Sequence, residues 1–127
     1  MNYLTHPVSY LDSNDFDING IIVNKNINTN LPVFIMIQAL WCPHCTHAKP
    51  HFQKFAENNK NKVVCCSIQA DTNIPAVKEF FDTKLKNMCP NFQGFPTYIV
   101  QHKGQNIEYE NGRKTEDLQS YLDSLQS

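Results

Sequence analysis

The chain has 127 residues, enough for one domain with a core of its own and too few for two sizeable ones. Hydrophobic residues make up 41% and charged residues 18%, which argues against disorder. Lys and Arg number 11 against 12 Asp and Glu, a net charge of -1 with neutral His, so the basic excess of a nucleic-acid or membrane-surface binder is absent. No stretch approaches the ~18 apolar residues of a membrane span. The start, MNYLTHPVSYLDSND, has neither the charged nor the apolar region of a secretion signal, and the tail YLDSLQS has no retention or lipidation pattern. The expectation is a soluble intracellular protein with one domain over residues 1–127.

Val8 to Leu11 read as a first strand, and residues 17–30 as a polar stretch in which GIIVN fits a strand or half a turn. Residues 31–38, LPVFIMIQ, form a short apolar run typical of a strand buried on both faces. Cys45, Ala48, Phe52 and Phe55 then mark one face of a helix that NNKNK ends. Residues 63–69, VVCCSIQ, are a second buried strand. Val77, Phe80, Phe81, Leu85 and Met88 predict a second amphipathic helix. TYIV at 97–100 is a third buried strand, and residues 106–110 alternate like an edge strand. Leu118, Tyr121, Leu122 and Leu125 predict a last helix. Strands alternating with helices imply an α/β fold with a central sheet.

Five cysteines are many for this length, and odd in number; a disulfide framework wants an even count and a secretory route. Redox or metal chemistry is the better expectation. The sharpest signal is Trp41-Cys42-Pro43-His44-Cys45, between a buried strand and a helix. Thiols three residues apart at a helix start close and reopen a small disulfide ring with little backbone motion. The helix N-terminus favours the thiolate of Cys42, Pro43 suits the first helical position, and a protonated His44 favours the thiolate over the disulfide. Cys45 continues the core-facing stripe. Cys42 is therefore the expected attacking thiol and Cys45 the resolving one. A zinc site needs four ligands; His47 and His51 are an i, i+4 pair, but they point away from the stripe that carries Cys45. No metal is expected. Cys65 and Cys66, neighbours in a strand, point to opposite faces and read as small buried hydrophobes. Cys89, in an expected loop, is a candidate regulatory or intermolecular thiol. His6 and His102 read as surface residues.

Taken together these motifs resemble the thioredoxin superfamily, thioredoxin and the catalytic domains of protein disulfide isomerase in particular, over about residues 8–125. VSYLDSNDF resembles the first strand and turn, VFIMIQALWCPHC the strand into the active site, and Pro50 the proline inside the active-site helix. IQAD with Asp71 resembles the end of the next strand, Phe95-Pro96-Thr97 the cis-proline loop, and YENGRKTEDL the last strand and helix start. The resemblance implies a thioredoxin-like fold, a central mixed β-sheet with helices on both faces. It implies a thiol–disulfide oxidoreductase acting through Cys42 and Cys45, with no bound cofactor. Trp41 and Phe95 would form an apolar rim for extended partners, and Phe95, Pro96 and Thr97 a backbone surface for a substrate strand. Pro43-His44 is the dipeptide of the periplasmic oxidase DsbA; with family potentials running from about −270 to −120 mV, it implies a couple more oxidising than thioredoxin.

The sequence departs from the family pattern at two linked positions. Met36 stands where the family buries a carboxylate that helps deprotonate the resolving thiol, and Ser67 where that carboxylate has a lysine partner. Arg113 matches an arginine that swings toward the dithiol in disulfide isomerase. The segment between Asp71 and Pro96 is roughly ten residues longer than in thioredoxin. The expected partners are proteins with disulfides or dithiols and a recycling reductase or oxidase, with no nucleic acid or membrane, and the expected state is a monomer. The expected location is the cytoplasm, or a specialised intracellular or virion setting. A non-catalytic binding module that docks partners on the Trp41–Phe95 surface is the alternative.

Overall fold

The computed structural model describes residues 3–125. Its sheet has five strands: β1 (Ser9–Tyr10), β2 (Val33–Gln38), β3 (Val64–Gln69), β4 (Thr97–His102) and β5 (Gln105–Tyr109). They lie in the order β1-β3-β2-β4-β5. β3 runs parallel to β1 and β2, whereas β4 runs antiparallel to β2 and β5. The sheet is thus mixed, and β2, buried along its whole length, is its middle strand. In the β2–β4 ladder Ile37 pairs with Thr97, so the end of β2 meets the start of β4.

Because side chains alternate along a strand, β2 feeds two cores. Phe34 and Met36 pack on one face with Phe52, Phe55, Leu118 and Leu122, from α1 (Pro43–Asn58) and α4 (Thr115–Leu125). The Phe34 and Phe55 rings lie 5.0 Å apart at their centroids. Ile35 and Ile37 pack on the other face with Val77, Phe80, Leu85 and Met88. That second helical segment is α2 (Pro75–Glu79), a π turn (Phe80–Lys84) and α3 (Leu85–Met88). A plain amphipathic helix was expected there. Phe80 and Leu85 are five residues apart, one more than an α turn brings onto one face. The backbone bond from Leu85 N–H to the Phe80 carbonyl widens that turn, and both side chains are buried.

The polar stretch 17–30 forms no strand. Phe16 and Ile22 make an isolated bridge, and the side chain of Asp17 accepts from Asn19 N and Ile21 N at 2.9 and 3.0 Å. Gln101 on β4 ties this loop down: its Oε1 accepts from Ile22 N at 2.9 Å and its Nε2 donates to the Gly20 carbonyl at 2.8 Å. Ahead of β1, Leu4 and Val8 join the α1 face of the core. Thr5 N donates to Gln53 Oε1 on α1 at 2.9 Å, and Gln53 Nε2 returns a bond to the Thr5 carbonyl at 3.0 Å. Among the described residues no helix is long and apolar enough to cross a membrane.

Candidate functional site

Cys42 is the N-cap of α1: its backbone is extended, its Sγ accepts from Cys45 N at 3.3 Å, and Pro43 takes the first helical turn. A capping residue ordinarily offers a side-chain oxygen to the free N–H groups of the first turn; here a thiol sulfur does so. The same Sγ donates to the Phe95 carbonyl at 3.6 Å. Cys42 is 4% exposed and Cys45 is fully buried one turn below it, in a small cluster with Ala39. Both are free thiols. Burial and a hydrogen bond shared with Cys42 push the Cys45 thiol up to about 12.

Trp41 is 67% exposed and meets the Phe95 ring edge-on at 5.9 Å. Phe95 in turn packs edge-on against Phe81 and Phe92, which extends the apolar surface away from the dithiol. The Phe95–Pro96 bond is cis. Thr97 opens β4 and donates through its hydroxyl to the Gly94 carbonyl. His44 lies exposed in the first turn of α1. Arg113 is also exposed and lines a groove of about 410 Å³ with Phe95, Pro96, Thr97 and Tyr98. The structure thus gathers Trp41, Cys42, Pro43, His44, Cys45, Phe95, Pro96 and Thr97 where β2 ends and β4 begins, and sets Arg113 at the side of the groove.

The sequence model of the family described as thioredoxin matches residues 17–124. The chain belongs to the thioredoxin family. It is 39% identical over 133 residues to thioredoxin-like protein 453L of Invertebrate iridescent virus 6, across 94% of this chain and 95% of that one. Human protein disulfide-isomerase A4 is 28% identical over 107 residues, which take in 83% of this chain and 14% of that longer protein. The solved first thioredoxin domain of mouse protein disulfide-isomerase A4 is similar with a TM-score of 0.63 at 20% identity, over 98% of this chain and 79% of that one. The structural likeness is one of fold; the family membership and the disulfide-isomerase relatives support a thiol–disulfide oxidoreductase family role.

Two features of this thioredoxin-family site were not read from the sequence. Asp71, just past β3, accepts from Leu40 N through both carboxylate oxygens at 3.0 and 2.9 Å, which steadies the loop that presents Trp41. Lys49 is buried on α1, and its Nζ has no hydrogen-bond partner. At the two departures from the family pattern, Ser67 Oγ donates to the Met36 carbonyl at 2.8 Å and accepts from Gln38 Nε2 at 3.3 Å. Cys89 was a candidate regulatory or intermolecular thiol. It is buried, and burial together with Glu108 pushes its thiol up to about 11, the opposite of a poised regulatory thiol. Cys65 and Cys66 lie in the two opposite cores. His47 is exposed, His51 accepts from Thr115 N, and among the described residues no three His, Cys, Asp or Glu side chains are grouped to hold a metal ion.

Proposed function

We propose that the chain is a thiol–disulfide oxidoreductase acting on protein substrates through Cys42 and Cys45, with a couple more oxidising than that of thioredoxin. The observation that carries this reading is the stacking of the two thiols: Cys42 caps α1 at the rim beside Phe95, and Cys45 lies buried one turn beneath. In the reducing direction the Cys42 thiolate attacks a substrate disulfide, one substrate sulfur leaves as a thiolate, and a mixed disulfide forms. Cys45, once deprotonated, attacks Cys42 Sγ; the Cys42–Cys45 bond forms and the second substrate sulfur leaves. The substrate gains two electrons and the dithiol loses them, and the reverse sequence oxidises a substrate.

Trp41 and Phe95 supply the apolar rim for an extended partner, and the backbone from Phe95 to Thr97 the edge on which it lies. Pro43 and His44 set the poise, and Arg113 modulates the resolving thiolate from the side of the groove. A recycling reductase or oxidase completes the cycle; no cofactor, nucleic acid or membrane enters it, and the working unit is a monomer. The location is the cytoplasm, or a specialised intracellular or virion setting.

Trapping tests this reading. Mixed with a peptide disulfide, the Cys45→Ala variant should accumulate a covalent adduct on Cys42 that dithiothreitol releases, and Cys42→Ala should form none. A chain that forms no adduct, and whose Cys42→Ala variant still binds its partners unchanged, is the binding module instead.

A further inference from the structure

Resolution of the mixed disulfide requires Cys45 to give up its proton, and Cys45 is badly placed to do so alone. Its thiol stands at about 12 in the free dithiol, and burial, the largest cause, persists when Cys42 is bonded to substrate, so little thiolate is present at neutral pH. No carboxylate lies where the family has one. Met36 fills that position, and the Ser67 hydroxyl is already committed to the Met36 carbonyl.

Lys49 stands one helical turn after Cys45 on the same buried face of α1. Helical side chains lean toward the N-terminus, and residues four apart meet at about 5–6 Å between Cβ atoms, so its amine is carried back toward Cys45. A lysine on a helix ordinarily extends its head to water. This one does not: it is 4% exposed and its Nζ is buried without a hydrogen-bond partner. The N-terminal segment, clamped to α1 through Thr5 and Gln53, lies over that part of the helix, and Leu4 and Thr5 border a pocket of about 160 Å³ shared with Lys49 and Thr46. A buried ammonium without a partner is costly, and a neutral amine far less so. Desolvation accordingly lowers the Lys49 pKa, while Cys45, Asp71 and Cys42 oppose that shift.

We propose, on the reading of the site given above, that Lys49 is the proton acceptor for Cys45 in the step that releases substrate from Cys42. The neutral amine takes the Cys45 proton and becomes an ammonium. The thiolate so formed attacks Cys42 Sγ, the Cys42–Cys45 bond forms, and the Cys42–substrate bond breaks. The substrate sulfur leaves with the electron pair and is protonated by solvent or by Lys49, which restores the amine. The charged and titratable groups around this pair are Cys42 at the N-cap, Asp71 after β3, the buried Tyr98 of β4, which feels both Cys45 and Arg113, and Arg113 itself at the side of the groove.

The test uses the full chain with Cys65, Cys66 and Cys89 replaced by Ala. Reduced protein is mixed with oxidised glutathione, and acid-quenched mass spectrometry follows first the adduct on Cys42 and then its conversion to the Cys42–Cys45 disulfide. In Lys49→Met and in Lys49→Ala the second step should be about a hundredfold slower near neutral pH, the usual reach of a positioned base. The parent rate should level off with rising pH as the amine becomes neutral, whereas both variants should keep climbing about tenfold per pH unit as Cys45 ionises unaided. Lys49→Met, which buries no amine, should melt no lower than the parent. Resolution as fast as the parent's in both variants overturns the proposal, as does slow resolution that keeps the parent's levelling. If the parent forms no adduct at all, the dithiol reading falls first, and that failure shows in the first step rather than the second.

Discussion

His44 and Lys49 flank the dithiol from opposite environments, one in water and one beneath the surface. A protonated imidazole in the first turn of α1 favours the thiolate over the disulfide. On the proposed reading, the potential of the Cys42–Cys45 couple, followed by Trp41 fluorescence in glutathione buffers, should lie above about −200 mV. His44→Ala should move it toward the thioredoxin value of about −270 mV. A parent value already at that end sinks the argument from His44. The buried cysteines are better replaced by Ala than by Ser in such measurements, because a hydroxyl in their place would be left to find a partner in the core. Cys42 and Cys45 were legible from their spacing at a helix start, and Trp41 and the Phe95-Pro96-Thr97 loop from the resemblance to the family. Lys49 was not. A lysine between Ala48 and Pro50 reads as solvated surface, and its burial depends on Leu4 and Thr5, more than forty residues earlier.

The same division between local and distant causes runs through the elements. The three buried strands and the helices α1 and α4 follow from period and length, and fall within a few residues of where the sequence puts them. The π turn at Phe80–Lys84 was not legible, because Phe81, four residues before Leu85, completes a plain α-helical stripe; in the structure Phe80 is buried and Phe81 only partly so. The loop over residues 17–30 resisted reading because its order comes from Gln101 on β4, while Lys84 ties down the turn just before it, its amine donating to the carbonyls of Ser13 and Phe16. Gly20 is the tight point of that loop. Its φ of +82° is left-handed, and a Cβ there would run into Met88 Cγ. Gly20→Ala should therefore cost about 1–3 kcal/mol, read as a lower urea midpoint. The redox potential should stay unchanged, because the dithiol lies at the other end of β2.

Over the whole molecule, the feature that couples stability to solution conditions is the set of thiols held in the interior. Burial raises Cys65 and Cys66, the latter to about 12, against an ordinary value of 9.0. The unfolded chain releases these protons near pH 9 and the folded chain keeps them, so their contribution is complete below that pH and is lost as pH rises through the folded values, about 12 for Cys66. Each thiol adds a slope approaching about 1.4 kcal/mol per pH unit. Urea midpoints of the reduced protein should fall across that range, and should fall less steeply in a Cys65→Ala, Cys66→Ala variant; equal slopes would refute the assignment. The pairing of Ile37 with Thr97 has a different reach. Cys42 and Phe95 meet because two neighbouring strands are in register, whatever path the chain takes between them. The residues of the β3–β4 connection that do not fill the second core or pack on Phe95 are therefore free to change in number and kind without displacing the dithiol from the Phe95 carbonyl.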